Sequence, residues 1–218
     1  MRSQNDWAAT RTRKAPSCAK VHSRMYISPE TILALEKKYG APQVLTLAYE
    51  MTESELDMVA RSQKHGRAHD VTLFIIIDGL VVVIRKPMYP PGAYRAPSGG
   101  VEPGEPFEAG ALREGYEETG LSIALEEYVV RAQVKFAHKT RVIDWTSHVF
   151  TAGKIGGELQ PIDTHEIVEA RLVTAREIMG TIRDALLASG STGLRYRSEL
   201  NDIVMRRLIE RGRLVNYL

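Results

Sequence analysis

Residues 99–121 read GGVEPGEPFEAGALREGYEETGL, and they are the most informative part of this 218-residue chain. The stretch follows the spacing G-x5-E-x7-R-E-U-x-E-E-x-G-U, in which U is a bulky apolar residue. The matching residues are Gly99, Glu105, Arg113, Glu114, Glu117, Glu118, Gly120 and Leu121. Seven fixed residue types, each at a usage of roughly 5–7%, coincide by chance at about 10^-9 per start position. The spacing is therefore a specific signal, unlike an isolated glycine motif.

The same stretch predicts a helix with an acidic face. Glu105 and Pro106 are typical of a helix start, and Gly120 is placed to end the helix as a C-terminal cap. Three carboxylates share the i, i+3, i+4 spacing of one helix face, namely Glu114, Glu117 and Glu118. Like charges at this spacing repel one another. A hard divalent cation, which prefers oxygen ligands, relieves this repulsion, so the pattern favours a metal site over a solvated acidic face.

This pattern resembles the signature of the Nudix hydrolases, and the resemblance covers roughly residues 70–188. It implies an α/β fold, the Nudix α/β/α sandwich with a mixed sheet. It also implies the reaction, in which water attacks a phosphorus of a nucleoside diphosphate linked to another group, with Mg2+ or Mn2+ as the cofactor. By the resemblance, the metal ligands are Glu114, Glu117, Glu118 and the carbonyl of Gly99. One glutamate could double as the base, and Glu105 would pair with Arg113.

Two residues depart from the family pattern. Gly115 occupies a position that is usually bulky and apolar, and glycine in a helix interior costs about 1 kcal/mol relative to alanine. Because an apolar contact is also lost, we expect the local packing to differ. Ser98 stands where a glycine is common. Neither change removes a carboxylate, so the predicted activity is unaffected.

Three residues outside residues 99–121 complete the predicted site. Family members often carry a further catalytic carboxylate on a late loop, and Glu166 in the segment DTHEIVEA is the candidate, with Asp163 and Glu169 behind it. The alternative for Glu166 is an exposed acid in a polar loop. Arg85 and Arg95 precede the glycine loop, and each could bind a substrate phosphate bidentately or form an ion pair with a carboxylate.

Composition excludes several classes of protein. The chain is 44% apolar with a formal charge of +2, which supports a core and argues against a strongly basic nucleic-acid face. The single cysteine, Cys18, excludes an internal disulfide and fits a reducing, cytoplasmic setting. No apolar run approaches the roughly 18–20 residues of a membrane span, and the N-terminus lacks the apolar stretch of a signal peptide.

The chain divides into three predicted parts. Residues 1–24 are basic and aperiodic, which predicts a disordered tail, with an arm for nucleic acid or an anionic surface as the alternative. Residues 25–69 form an N-terminal extension with a helix, a strand and a second helix. We expect this extension to flank the main sheet or to build a homodimer contact. Residues 70–218 form the Nudix domain with its C-terminal helices.

Local signals predict the elements of the extension and of the first hairpin. Ser28 begins a helix that ends at Gly40, QVLTLAYE reads as a strand, and T-x-x-E at residues 52–55 is a capping box. Asp78-Gly79 joins two β-branched runs as a hairpin. Further strands are predicted at 128–136, 142–151 and 168–173, and helices at 175–188 and 194–211.

The sequence leaves the substrate open. The chain has no stretch like the SQPWPFPxS marker of NADH enzymes, and it lacks the coenzyme A marker upstream of the box. ADP-ribose enzymes are associated with a proline at a set spacing after the box, and here no proline follows the box until Pro161. We favour a small nucleoside diphosphate derivative, ADP-ribose or a nucleotide sugar. The alternatives are a nucleoside triphosphate pyrophosphohydrolase, an RNA-processing Nudix enzyme and a non-catalytic nucleotide-binding regulator. Such regulators commonly lose box glutamates, and all of these are present here. A Nudix-fold isomerase of isoprenoid diphosphates would need a catalytic cysteine in the core, whereas Cys18 lies in the predicted tail.

Overall fold

A computed structural model describes residues 27–63 and 66–214. The elements in chain order are α1 (Pro29–Tyr39), β1 (Gln43–Glu50), α2 (Glu53–Ser62), β2 (His69–Ile77), β3 (Leu80–Arg85), β4 (Ser98–Gly99), α3 (Phe107–Thr119), β5 (Leu121–His138), β6 (Arg141–Gly157), β7 (Glu169–Val173), α4 (Ala175–Glu177), a π-helical segment (Ile178–Ile182), α5 (Arg183–Ala188) and α6 (Thr192–Glu210). The predicted tail, residues 1–24, lies outside the described residues. Its disorder therefore stays a prediction.

The predicted hairpin lies at the centre of the sheet. Asp78 and Gly79 both have positive φ angles, 49° and 79°, as the tight turn of a two-residue hairpin requires. Within the described residues, seven strands form one mixed sheet in the order β1-β5-β6-β2-β3-β7, with β4 paired to β2 beside this path. Strand β2 runs parallel to β6 and antiparallel to β3. Because both of its faces are covered by helices, β2 reads as a nearly continuous apolar run.

Helices cover both faces of the sheet, which confirms the predicted α/β/α sandwich. On one face, Val71 and Leu73 of β2 pack with Phe107 of α3 and Leu35 of α1. On the other face, α2, α5 and α6 pack against the residues of β2 and β3 that point the opposite way. None of the described helices is both long and apolar enough to cross a membrane.

The N-terminal extension contributes an edge strand to this sheet. Strand β1 pairs in parallel with β5 along its whole length, from Gln43 opposite Val130 to Glu50 opposite Ala137. The helix signals hold, since Ser28 caps α1 and the capping box at Thr52 opens α2. The sheet therefore continues across the predicted boundary at residue 70, because β1 of the extension is one of its strands. The role of the extension in a homodimer stays a prediction.

Two predicted elements differ in extent. Strands β5 and β6 have 18 and 17 residues, much longer than the predicted segments 128–136 and 142–151. Register shifts between Ser122 and Val130 interrupt the alternation of buried and exposed residues, which hides the full strand length in the sequence pattern. The predicted helix 175–188 is interrupted at Gly180, whose φ and ψ of −114° and −105° are not helical.

The departure at Gly115 is explained by close packing between α3 and the sheet. A Cβ at this position would lie 2.7 Å from Cδ1 of Ile123 and 3.2 Å from Cδ1 of Leu73. These two side chains occupy the space that a larger side chain at this position would need. A bulky side chain at position 115 therefore has no room in this core.

This packing predicts that restoring the family pattern will destabilise the protein. Gly115→Leu is expected to lower the free energy of unfolding by about 1–3 kcal/mol, because extra methylenes must enter a filled core. Gly115→Ala, which meets only the flexible ends of the two side chains, is the matched control and should cost less. Thermal unfolding by circular dichroism measures both changes. A leucine variant as stable as the wild type would contradict the prediction.

Candidate active site

The glycine loop and α3 are joined by the predicted pair of Glu105 and Arg113. Nε of Arg113 donates to Oε1 of Glu105 at 3.0 Å, and Nη2 donates to Oε2 at 3.1 Å. Nη2 also donates to the carbonyl of Gly100 at 2.9 Å. The hydrogen bonds with Glu105 are the main reason that the pKa of Arg113 lies above its ordinary value. This guanidinium therefore fixes the loop against the helix.

Glu114 lies directly against the loop. Its Oε1 accepts hydrogen bonds from the backbone N–H of Gly100 and from Nη1 of Arg113, both at 3.0 Å. A Cβ on Gly99 would lie 1.8 Å from Oε2 of Glu114, so a larger residue would displace this carboxylate. Burial raises the pKa of Glu114. The sequence position of Gly99 thus has a steric reason, which is the close approach of Glu114.

Glu118 is the most buried carboxylate of the three, with 4% of its surface exposed. Its Oε1 accepts from Nη2 of Arg95 at 3.0 Å, and its Oε2 accepts from the backbone N–H of Ser98 at 2.7 Å. Nη1 of Arg95 donates to the carbonyl of Ala96 and to Oγ of Ser98, both at 2.8 Å. The departure at Ser98 therefore supplies an acceptor for the arginine that holds Glu118.

Arg95 is itself 4% exposed, and both of its Nη nitrogens are bonded to protein atoms. Burial, the largest single influence, lowers the pKa of Arg95, but the charge of Glu118 and the interactions with Tyr89 together raise it above its ordinary value. These contacts match the ion-pair alternative from the sequence. A role for Arg95 in phosphate binding stays a prediction.

Glu117 is the exposed member of the set. Nη1 of Arg113 lies 3.1 Å from its Oε2, and 44% of its side chain is exposed. The backbone carbonyl of Glu117 accepts from the N–H groups of Ile162 and Asp163, both at 3.0 Å. These bonds attach the late loop to the C-terminal end of α3.

The late loop brings Glu166 towards the box. Nζ of Lys86 lies 2.7 Å from Oε2 of Glu166 and 3.9 Å from Oε1 of Glu118. Oδ1 of Asp163 accepts from the backbone N–H of Glu166 at 3.0 Å. The side chain of Glu166 is 60% exposed, as expected for an acid in a polar loop. Lys86 therefore lies between Glu166 and Glu118. The catalytic role of Glu166 stays a prediction.

Arg85 is the last residue of β3 and directly precedes Lys86. Its Nε lies 3.5 Å from Oε2 of Glu169, and 27% of its side chain is exposed. The hydroxyl of Tyr94 donates to the same carboxylate oxygen at 2.8 Å. Arg85 thus retains more access to solvent than Arg95, and its role in phosphate binding stays a prediction.

The sequence did not lead us to two basic residues near the site, Lys86 and Arg67. Lys86 follows Arg85 at the end of a strand, and this position next to a candidate residue was the available signal. Arg67 lies over the glycine loop, where a Cβ on Gly100 would lie 1.2 Å from its Nη1. No local pattern in the sequence indicates this contact, because Arg67 precedes β2 while Gly100 follows β4.

The carboxylates fit a divalent cation in chemistry but are not arranged as a closed cage. Within residues 27–63 and 66–214, no three acidic, histidine or cysteine side chains converge as a metal-binding group. Each box carboxylate instead faces a guanidinium, either that of Arg113 or that of Arg95. A carboxylate has about four acceptor sites, so the oxygens of Glu118 keep lone pairs beyond these bonds. The all-oxygen donor set, Gly99 with Glu114, Glu117 and Glu118, suits Mg2+ or Mn2+.

A mixed sheet between helices, with a glycine loop pinned to a helix that carries three glutamates, is the architecture of a Nudix hydrolase. A family model of the NUDIX domain matches residues 67–190, which is more than half of the chain. The chain belongs to this family. The match confirms the predicted family and the prediction that the chain is a hydrolase of the Nudix class. Enzymes of this class generally use a divalent metal and act on small nucleotide-derived compounds.

Several solved structures resemble the chain at low identity. A UDP-X diphosphatase is 23% identical, with 55% of this chain and 59% of that chain covered and a TM-score of 0.39. An ADP-ribose pyrophosphatase from Streptococcus suis 89-1591 is 16% identical, with coverages of 49% and 73% and a TM-score of 0.37. A MutT Nudix hydrolase from Burkholderia pseudomallei is 25% identical, with coverages of 50% and 83% and a TM-score of 0.40.

The chain thus spans less than two thirds of the UDP-X diphosphatase. No curated protein matches the sequence. At these levels of similarity, none of the three structures indicates which compound this chain hydrolyses.

Proposed function

We propose that this protein is a metal-dependent pyrophosphohydrolase that cleaves the diphosphate linkage of a nucleoside diphosphate derivative, with ADP-ribose or a nucleotide sugar favoured. One observation carries the proposal. Glu114, Glu117 and Glu118 project from one helix beside Gly99, and Glu166 lies across Lys86 from Glu118. An intact set of four carboxylates favours catalysis over a binding-only regulator.

The proposed roles follow from the contacts of each side chain. Gly99, Glu114, Glu117 and Glu118 would hold Mg2+ or Mn2+, which when bound neutralises phosphate oxygens and lowers the pKa of attacking water. Arg113 holds the glycine loop against the helix that carries the carboxylates, through its hydrogen bonds to Glu105 and to the Gly100 carbonyl. Arg95 and the Ser98 amide fix the orientation of Glu118.

The open side of the site suits an anionic substrate. Lys86 is partly exposed beside Glu118 and Glu166, Arg85 precedes it and is also partly exposed, and each could bind a phosphate oxygen. Glu166 is the exposed carboxylate of this side and is the proposed base that accepts a proton from water, with one of the box glutamates as the alternative. The pairing of Glu166 with Lys86 holds it towards Glu118.

The wider setting of the enzyme is also a proposal. Among the described residues, strand β1 forms an edge of the sheet, and a strand edge offers backbone groups for pairing with another chain. This feature is compatible with the proposed homodimer. The cytoplasmic setting indicated by the single cysteine stays a prediction. A nucleoside triphosphate remains the alternative substrate.

A hydrolysis screen, in which the products are separated and identified by chromatography, tests the proposed function. Purified protein is expected to cleave at least one compound of a panel containing ADP-ribose, nucleotide sugars, dinucleotides and nucleoside triphosphates. Cleavage should require Mg2+ or Mn2+ and stop on addition of a chelator, because the substrate phosphates and the carboxylates need a cation between them.

The products identify the bond that is attacked. Release of a nucleoside monophosphate from ADP-ribose or a nucleotide sugar supports the favoured substrate class, whereas pyrophosphate release from a triphosphate supports the alternative. Folded protein that cleaves no compound with either metal would contradict the enzyme proposal.

A further inference from the structure

Lys86 lies between two carboxylates that belong to different parts of the site. Its Nζ is 2.7 Å from Oε2 of Glu166 and 3.9 Å from Oε1 of Glu118. Glu118 is one of the three glutamates of α3, whereas Glu166 lies on the late loop. One ammonium group therefore neutralises negative charge on both the helix and the loop.

The arginines that face the box glutamates are anchored to the main chain. Arg113 donates to the carbonyl of Gly100 at 2.9 Å, and Arg95 donates to the carbonyl of Ala96 at 2.8 Å. A guanidinium is a rigid planar fork, so several bonds at once fix its orientation. These two cations are therefore permanent parts of the site.

The side chain of Lys86 has no such anchor. Among the residues that the structure describes, its Nζ contacts the two carboxylates and no carbonyl or hydroxyl oxygen. A lysine ammonium is a point charge on a flexible four-carbon stem. The backbone of Lys86 is held in a turn, since its carbonyl accepts from the N–H of Tyr89 at 3.0 Å. The ammonium can therefore change partners without a movement of the main chain.

A divalent cation on Glu118 would meet the ammonium of Lys86 at close range. Glu118 is buried and already accepts from Arg95 and from the amide of Ser98. Two cations that share a buried carboxylate repel each other, because a buried site screens charge poorly. Of the cations around Glu118, Lys86 is the one whose contacts allow it to leave.

We propose that Lys86 is the counter-ion that the divalent metal displaces. The metal and the ammonium compete for the negative charge of Glu118 and Glu166, so Lys86 sets the metal concentration at which the site fills. This inference rests on the proposed function, because it takes Glu118 as a metal ligand. It adds a residue that opposes metal binding to the residues that would hold the metal.

A titration of the full chain with Mn2+, without substrate, tests this proposal. Electron paramagnetic resonance measures the free Mn2+ at each step. Lys86→Met keeps the length of the side chain and removes its charge. This variant is expected to bind Mn2+ about tenfold more tightly than the wild type, because no ammonium has to be displaced. Lys86→Arg keeps the charge and should not bind Mn2+ more tightly than the wild type.

The direction of the change separates competition from a structural role. If Lys86 only held Glu166 and Glu118 in place, its loss would weaken Mn2+ binding instead of strengthening it. Thermal unfolding gives a second readout. A ligand that binds the folded state more tightly stabilises it more, so Mn2+ should raise the Tm of Lys86→Met by more than that of the wild type.

Two control variants distinguish a local effect from a general change in charge. Arg85→Met removes a positive charge from the preceding residue, whose guanidinium faces Glu169. It should strengthen Mn2+ binding by less than about threefold, because the charge is not shared with Glu118. Lys135→Met removes a charge from a lysine that pairs with Asp144, between β5 and β6. It should leave the affinity for Mn2+ unchanged.

Unchanged or weaker Mn2+ binding by Lys86→Met would overturn the proposal, and so would an equal gain in Arg85→Met. If the wild type binds Mn2+ and Lys86→Met binds it no more tightly, only the competition is wrong and the proposed function stands. A folded wild-type chain that binds no Mn2+ would instead contradict the metal site, and with it both the proposed function and this inference.

Discussion

Glu118→Gln is expected to reduce turnover by about 10^3-fold or more, because loss of one charged metal ligand removes several kcal/mol of transition-state stabilisation. The substitution keeps the shape of the side chain and an oxygen that can accept from Arg95. It removes the negative charge from the most buried of the three carboxylates. The kinetic constants with Mg2+ and Mn2+ measure the effect, and a direct Mn2+ titration measures the loss of metal affinity separately.

Glu108→Gln provides a matched control on the same helix. Glu108 accepts hydrogen bonds from Lys38 and Tyr39, which are residues of α1. Its loss removes an equal charge from α3 without affecting the face that carries Glu118. The control should retain nearly full turnover. Activity of Glu118→Gln within about tenfold of the wild type would show that Glu118 is not a metal ligand.

The parts of this site that the sequence predicts are those formed by local contacts. Glu114 and Glu118 share a helix face because the helix repeat places them there. Gly120 ends α3 in the left-handed conformation, with φ 74°, as its position after the last helical residue predicts. Glu105 and Arg113 lie eight residues apart, and their pairing came from the family resemblance. These features need no knowledge of how the sheet is assembled.

The parts that the sequence could not predict depend on strand pairing. Arg95 approaches Glu118 only because the chain passes beside β3 before it enters the glycine loop, where Ile84 and Arg95 form an isolated bridge. Lys86 approaches Glu166 because the late loop returns to the end of β3, where the N–H of Val168 donates to the carbonyl of Arg85. Neither contact has a periodic signature in the sequence.

A further polar contact that supports the site is made by α6, which lies outside the residues matched by the family model. Nη2 of Arg197, on α6, donates to Oδ2 of Asp70 at 2.7 Å, and Nη1 donates to the hydroxyl of Thr72 at 3.2 Å. Thr72 lies opposite Ser98, the residue whose amide holds Glu118. The C-terminal helix thus supports the strand on which the glycine loop rests. A sequence pattern for a helix predicts its existence but not this docking.

The buried pair of Arg95 and Glu118 leads to the second large expected effect. Arg95→Met is expected to lower the free energy of unfolding by about 3–5 kcal/mol, because it removes the nearer of the two cationic side chains that face the buried carboxylate of Glu118. For a chain of this size that loss corresponds to a decrease in Tm of roughly 6–20 °C. Thermal unfolding without added metal measures it. Arg95→Lys keeps the charge but loses the fork that reaches Glu118 and Ser98 together, so it should fall between the wild type and Arg95→Met.

The double variant Arg95→Met/Glu118→Gln distinguishes a coupled pair from two independent residues. If Arg95 acts mainly as the counter-charge of Glu118, the double variant will be less destabilised than the sum of the two single variants, by at least about 1 kcal/mol. Additive losses would mean that Arg95 stabilises the protein through Ala96 and Ser98 alone. In the coupled case, Mn2+ affinity should also fall in Arg95→Met, although every predicted metal ligand is still present. That result would identify Arg95 as the residue that positions Glu118 for the metal, because a merely structural role would not lower the affinity for Mn2+.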